Sequence, residues 1–176
     1  MGIQVEVCVQ EGELHEGGVD SELVQSALKI STEQWETWFQ QWLEILQPDL
    51  SPIQAYELSL RLTSDREIQA LNAQYRHQDN PTDVLAFAAL EAEYPHTDEL
   101  HSSLPLYLGD IVISVNTAQN QATAQGHPLV TELMWLASHG LLHLLGWDHP
   151  DDETLAQMLA QQKALLNTVG LSISDS

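Results

Sequence analysis

Two segments of the chain alternate strictly between apolar and polar residues, which is the pattern of a strand with one buried face. They span residues 3–9 and 56–62. Apolar runs predict two more strands, over residues 84–88 and 106–115, the last of them interrupted at the Gly109-Asp110 pair. The pattern therefore predicts about four strands, which is enough for one sheet.

Apolar residues at helical spacing predict helices between and after these strands. A short helix is expected over residues 21–30, after an acidic, glycine-rich loop at 11–18. Ser31 or Thr32 is expected to cap the next helix, because a hydroxyl can accept a hydrogen bond from the first helical turn. The stripe of this helix that is predicted to pack on a sheet consists of Trp35, Trp38, Phe39, Trp42, Ile45 and Leu46.

Capping signals predict where two further helices begin. Ser64 and Glu67 match a capping box, in which each side chain bonds the other residue's main chain. The residues of this helix that are expected to face inward are Ile68, Leu71 and Tyr75. Asn116 is expected to cap a short polar helix that ends at Gly126.

The last third of the chain is predicted to form two longer helices. The first runs from about Leu129 to Leu145. Pro150 is suited to the first position of the second, and the acidic residues 151–153 favour the positive end of its dipole. The buried side of this closing helix is predicted to contain Leu155, Met158, Leu159, Leu165 and Leu166.

Together these elements predict an α+β fold, with a single mixed sheet of about four strands and helices packed on it. The strands and helices do not alternate regularly, and no glycine-rich phosphate loop is present. A length of 176 residues fits one domain over 1–176. Residues 1–20 are expected to hold a strand and the acidic loop, and residues 171–176 a flexible tail.

The charge balance restricts how the protein can bind nucleic acid. The chain has 26 Asp and Glu residues against five Lys and Arg, for a formal net charge of −21. Such a surface repels phosphate, whereas nucleic-acid affinity normally comes from many cations that displace counterions. Any function on RNA must therefore rest on a local site, on a metal, or on a protein partner that supplies positive charge.

The cysteine count and hydropathy indicate a cytoplasmic protein. Cys8 is the single cysteine, so no disulfide can form within the chain, which fits a reducing compartment. No run of eighteen or more apolar residues is present, so no contact with a membrane is expected. The N-terminus lacks the basic start and apolar block of a signal peptide.

Three histidines near the end of the long helix predict a metal site. His139 and His143 are four residues apart, which places them on one helix face. Gly146 is suited to ending that helix, and the chain can then return His149 to the same point. Three imidazoles with a fourth position free are typical of a catalytic zinc site, so one Zn²⁺ per chain is expected. The alternative is a core helix that happens to carry histidines.

The residue after the first histidine separates two enzyme classes. Metzincin peptidases share the spacing of His139, His143, the glycine turn and a third histidine, but they carry a glutamate as general base where this chain has Gly140. Glycine at this position leaves two explanations, a space beside the metal or a close helix contact. Glu132, two turns earlier on the same face, is either a group that supports a metal ligand or a solvated carboxylate.

Two more stretches, taken with the histidines, establish a family resemblance. They are Leu71-Asn72-Ala73-Gln74-Tyr75-Arg76 with the following 79–87, and Leu108-Gly109-Asp110-Ile111-Val112-Ile113-Ser114. Over roughly residues 56–169, the chain resembles the YbeY family of bacterial endoribonucleases and rRNA maturation factors. Ala86 and Ala88 stand where that family usually has serine and proline, and the acidic loop after Leu90 is longer than usual.

The resemblance implies a zinc-dependent endoribonuclease that acts in 16S rRNA 3′-end maturation and ribosome quality control, with rRNA precursor and the small ribosomal subunit as partners. It also implies that His139, His143 and His149 are the metal ligands and that Arg76 is a functional arginine. From composition alone, Arg76 would be expected in a surface salt bridge. A guanidinium nevertheless suits bidentate phosphate binding.

Two alternatives to the ribonuclease stay open. A metzincin-like peptidase is disfavoured by Gly140, because RNA brings its own 2′-hydroxyl nucleophile and a peptide does not. A non-catalytic ribosome-assembly factor with structural zinc would suit the acidic surface. His96 and His101, in the polar loop at 91–103, have no third partner nearby in sequence and are expected to be solvated.

Overall fold

The computed structural model describes residues 2–14, 19–89 and 104–170, which form one four-stranded sheet and six helices. The strands are β1 (Gln4–Glu11), β2 (Ala55–Thr63), β3 (Val84–Ala88) and β4 (Leu106–Ser114). The helices are α1 (Ser21–Leu28), α2 (Thr32–Leu46), α3 (Asp65–Arg76), α4 (Val115–Gln125), α5 (Leu129–Leu144) and α6 (Asp152–Thr168). The predicted α+β class with one mixed sheet is confirmed. The interpretations of His96 and His101, of the tail at 171–176 and of loop residues 15–18 lie outside the described residues.

The sheet has the order β1-β2-β4-β3, with β1, β2 and β4 parallel and β3 antiparallel to β4. The two central strands carry the most apolar residues of the sheet, including Leu60 paired with Ile111. β3 lies at one edge, where Ala86 pairs with Ile111. This edge is the part of the sheet on which α5 packs, so it positions the candidate site.

The predicted interruption of the fourth strand is a bulge within a continuous strand. The register between β2 and β4 shifts between Glu57 and Ser59, which pair with Tyr107 and Asp110. Gly109 lies in this bulge with a φ of 138°. A Cβ at this position would collide with the main-chain carbonyl of Phe87, so only glycine fits.

Helices cover both faces of the β3–β4 half of the sheet. Successive residues of β4 point to opposite faces, which places Val112 on the face opposite to Ile111. Val112 packs with Leu85 and with Ile68 of α3. Ile111 belongs to the main core, which includes most of the buried residues of α2 and α5. α5 is therefore held between the sheet and its neighbours α4 and α6.

Two predicted caps differ from the structure. Ser114, and not Asn116, caps α4, because the Asn116 side chain instead accepts a hydrogen bond from the Asp65 main-chain N–H at 2.9 Å. Ser64 caps α3 as predicted, but the capping box is only half formed, because the Glu67 carboxylate pairs with the Arg61 guanidinium. In both cases a partner distant in sequence captures the side chain.

Ile45 and Leu159 were expected on the buried sides of α2 and α6, but both are exposed.

Two further predictions were wrong. Tyr75 was expected to face inward, yet 58% of its surface is exposed, and its ring packs edge-on against Phe87 at 5.2 Å between centroids. Pro150 is not the first residue of α6, which begins at Asp152. Asp151 caps this helix through a capping box with Thr154. Proline therefore precedes the cap.

In the ranges that the structure describes, no helix is both long and apolar enough to cross a membrane.

Candidate metal centre

The C-terminal end of α5 has the geometry that the glycine turn predicts. Gly146 adopts a positive φ of 96°, and its N–H donates to the His143 carbonyl at 3.0 Å. The N–H of Trp147 donates back to the Leu142 carbonyl at 2.9 Å. This pair of bonds is a Schellman motif, which satisfies the last helical carbonyls and reverses the chain. The reversal brings His149 back to the end of the helix.

The three predicted histidines meet at one point. The Nε2 atoms of His139 and His143 are 3.0 Å apart, and the His149 ring lies 5.9 Å and 5.5 Å from theirs, between centroids. Each ring offers a nitrogen within 4.8 Å of the others, so the group could hold a metal ion. His139 and His143 are partly buried, whereas His149 is exposed. One side of the site therefore remains open to solvent.

The His139 ring is held from behind. His139 Nδ1 lies 3.1 Å from Oε1 of Gln162, a fully buried residue of α6. Gln162 was not anticipated. The sequence did contain an indication of its role. Gln162 follows the buried Met158 by four residues, so it is a polar residue on an apolar helix face.

Burial keeps His139 and His143 in the form that binds metal. Desolvation, together with the neighbouring His139 and His149, lowers the pKa of His143 to about 4. Burial also lowers the pKa of His139, against the opposing effects of Gln162 and the Asp83 charge. Because metals bind the neutral imidazole, both shifts favour metal binding near neutral pH.

Arg76 lies in the same cavity as the histidines. This cavity has a volume of about 580 Å³ and is also lined by Asp83, Ala86 and Asp148. Arg76 is the last residue of α3 and is exposed. Among the described residues it forms no ion pair, so the surface salt bridge expected from composition is absent there. The structure therefore brings all four predicted site residues together.

The loop after α3 is folded back so that Arg76 faces the site. Asn72, which is buried, donates from Nδ2 to the Asn80 carbonyl at 2.9 Å. Asp83 ends this loop, accepting hydrogen bonds from the Val84 N–H at 2.8 Å and from Gln121 at 3.2 Å. These bonds fix the path from α3 to β3, which together form one wall of the cavity.

Gly140 is explained by packing. A Cβ built at this position would lie 2.8 Å from Cγ2 and 3.0 Å from Cγ1 of Ile111 in β4. Of the two explanations offered by the sequence, the observed one is the close contact with the sheet. The backbone of Gly140 nevertheless lines the cavity beside His139 and His143.

Glu132 takes neither of the two roles considered for it. It is only 4% exposed, and its Oε2 lies 2.6 Å from Nε2 of His127. Burial raises the pKa of Glu132, while the contact with His127 opposes that shift. The carboxylate is thus neither solvated nor bonded to a metal-site histidine. It ties the start of α5 to the turn before it.

Fold and site define a protein with a three-histidine candidate metal centre and an arginine in one cavity. The sequence matches the family described as Endoribonuclease YbeY over residues 20–170. The chain therefore belongs to this family.

Individual relatives agree with the family match. A protein named Endoribonuclease YbeY from Trichormus variabilis is 57% identical over 175 residues, covering 98% of this chain and 98% of its own. Its namesake from Acaryochloris marina is 55% identical over 178 residues, covering 99% and 100%. Among solved structures, TM1509 from Thermotoga maritima matches with a TM-score of 0.48 and 23% identity, covering 94% of this chain and 91% of that one.

Proposed function

We propose that this protein is a metal-dependent endoribonuclease that binds one Zn²⁺ per chain through His139, His143 and His149. The observation that carries the proposal is the meeting of these three imidazoles and Arg76 in one cavity. The relatives' shared name, Endoribonuclease YbeY, supports the reaction class.

The donor set suits zinc. Three neutral imidazoles with an open side are the ligands of catalytic zinc sites, and the hydrogen bond at His139 Nδ1 leaves its Nε2 free to bind. When bound, the ion supplies a Lewis acid and lowers the pKa of a coordinated water. Imidazole also binds other divalent ions, so the metal content of the purified protein should be measured to show which ion is bound.

Arg76 is assigned to the phosphate of the substrate. A guanidinium binds two phosphate oxygens at once, and this one is exposed in the cavity without an ion pair among the described residues. Its charge offsets the repulsion of phosphate by an acidic chain. Arg76 therefore orients the phosphodiester beside the three histidines.

The absence of a side chain at Gly140 favours RNA over peptide. A peptidase of the metzincin type needs a carboxylate at this position to take a proton from the attacking water. RNA carries its 2′-hydroxyl next to the scissile phosphate, so strand cleavage does not depend on that carboxylate. The packing of Gly140 against Ile111 leaves no room for a larger residue unless the Ile111 side chain or the helix shifts.

The biological substrate that we propose is the precursor of 16S rRNA, cleaved in its 3′-end maturation and in ribosome quality control. The small ribosomal subunit would be the partner, in the cytoplasm, with a single domain over 1–176 acting on it. Because the chain has a net charge of −21, stable association with rRNA calls for a partner that supplies positive charge.

Cleavage assays with metal-loaded protein test the reaction class. RNA should be cut slowly and unstructured peptides should remain intact, and His143→Ala should lose both metal and RNA cleavage. Peptide cleavage would establish the peptidase instead. If RNA is never cut while a metal-ligand variant no longer cosediments with small subunits, the protein is an assembly factor with structural zinc.

A further inference from the structure

Gln162 is a fully buried polar residue on the apolar face of α6. It is more than twenty residues away in sequence from His139, on a different helix. A buried amide is tolerated only when its donor and acceptor are both satisfied. Its two hydrogen bonds therefore define what the side chain does.

The main-chain carbonyl of Trp135 fixes the direction of the Gln162 amide. Gln162 Nε2 lies 3.2 Å from the Trp135 carbonyl oxygen, which also accepts a hydrogen bond from Ser138 Oγ at 2.7 Å. A carbonyl oxygen can only accept, so the NH₂ end of the amide must face it. The opposite end, Oε1, then faces Nδ1 of His139 at 3.1 Å.

The amide direction in turn decides which nitrogen of His139 carries the proton. Oε1 can only accept, so Nδ1 must donate to it, and a neutral imidazole then has its lone pair on Nε2. Nε2 is the nitrogen that lies 3.0 Å from Nε2 of His143, at the centre of the three-histidine group. The chain of bonds from Trp135 through Gln162 thus sets the tautomer that a metal ligand needs.

We infer that Gln162 is a positioning residue of the metal centre, holding His139 in the Nδ1–H tautomer with its Nε2 directed at the metal. The role rests on the proposed metal-binding function, but it concerns ligand geometry and is independent of the substrate. Partners of this kind typically change metal affinity by about 10- to 100-fold when removed.

Zn²⁺ affinity measured against a competing chelator tests the assignment. Gln162→Met keeps the length of the side chain but loses both hydrogen bonds, so its affinity should fall by about 10- to 100-fold. A glutamate in this buried place is expected to be protonated, so in Gln162→Glu its O–H can donate to the Trp135 carbonyl while its other oxygen still accepts from Nδ1–H. Its affinity should therefore stay within about tenfold of the unaltered protein. Gln157→Met, at an exposed position of the same helix, is the matched control and should bind normally. Equal affinity in folded Gln162→Met, or an equal loss in Gln162→Glu, would overturn the proposal.

Histidine ¹⁵N NMR of the unaltered protein tests the same bond without any substitution. In metal-free protein, His139 should show a proton on Nδ1 that exchanges slowly with solvent, and Gln162→Met should lose that protection. A proton on Nε2 of His139 would contradict the assignment, even if Gln162→Met failed to fold. Failure to bind Zn²⁺ at all would refute the proposed function, while the metal-free spectrum would still decide the role of Gln162.

Discussion

Burial lowers the pKa of His143 in the metal-free protein and so keeps the imidazole neutral, which is the form that binds metal. Its pKa is lowered to about 4 by desolvation and by the two neighbouring histidines, from an ordinary value of 6.5. The folded protein therefore binds fewer protons at this group than the unfolded chain does between these two pH values. Stability contributed by the neutral ring is present above about 6.5 and is lost as the pH falls toward about 4.

We expect this shift to appear in the pH dependence of metal-free protein. The melting temperature should fall as the pH is lowered from about 7.5 to about 5. In this range His143 becomes protonated in the unfolded chain but stays neutral in the folded protein, so protonation favours unfolding. In His143→Ala, the slope of melting temperature against pH should be shallower. Thermal unfolding with a chelator present gives both slopes. Parallel slopes would show that another group controls acid stability.

Arg76 is expected to matter for catalysis and not for folding. Arg76→Ala should reduce RNA cleavage by about 10- to 100-fold, the scale of one hydrogen bond to a charged group, with metal content and melting temperature unchanged. Arg76→Lys should recover only part of the activity, because an ammonium cannot bind two oxygens in a fork. Arg66→Ala, a second exposed arginine of α3, is the control and should cleave normally. A large fall in melting temperature for Arg76→Ala would assign it a structural role.

At the scale of elements, the site depends on how closely α5 approaches β4. Gly140 permits this approach because its missing side chain leaves room for Ile111. Helix propensity alone would favour alanine by about 1 kcal/mol. The contact distances decide against it, since a Cβ at 2.8 Å must displace the isoleucine or the helix.

Gly140→Ala should therefore destabilise the protein, by about 1–3 kcal/mol, the usual effect of overpacking a core. The double variant Gly140→Ala with Ile111→Ala should be more stable than the sum of the two single effects predicts, because the second change removes the atoms in conflict. Denaturant unfolding of all four proteins completes the cycle. Strict additivity would mean that the two residues do not interact.

The turn after α5 is the second element that the site requires. Gly146→Ala should weaken Zn²⁺ binding, because a φ of 96° strains any residue with a Cβ and the turn delivers His149. A steric clash is not the cause of this effect, since nothing lies within 4 Å of the added Cβ. Gly126→Ala, also at a positive φ with open space, should lose stability but keep its Zn²⁺ affinity. Equal Zn²⁺ affinity in both variants would show that the turn at Gly146 is not needed for metal binding.

At the scale of the whole molecule, charge controls the approach of RNA. With a net charge of −21, the chain offers few cations for counterion release. If Arg76 is the main phosphate contact, log affinity for a single strand should fall with log salt at a slope of about −0.7 or shallower. Fluorescence anisotropy with a labelled oligonucleotide between about 50 and about 200 mM salt measures this slope, and Arg76→Ala should flatten it. A much steeper slope would reveal further cationic contacts.

The sequence by itself determined the elements and the chemistry of the site. Alternation identified β1 and β2, and apolar runs identified β3 and β4, because burial of one or both faces of a strand restricts which residues it can carry. Helical spacing of apolar residues identified the long helix in the same way. The four-residue spacing of His139 and His143, with Gly146 to reverse the chain, was enough to predict a three-histidine group. These are local consequences of helix geometry and of the one residue that tolerates a positive φ.

Only the tertiary structure decided which distant groups support that site. Gln162 reaches His139 from another helix, and Gly140 accommodates Ile111 of the sheet. Each outcome depends on which surfaces pack together, and the sequence around each residue is compatible with several partners. A hydrogen bond or a close contact between elements is set by the packing of the whole core, which local periodicity does not encode.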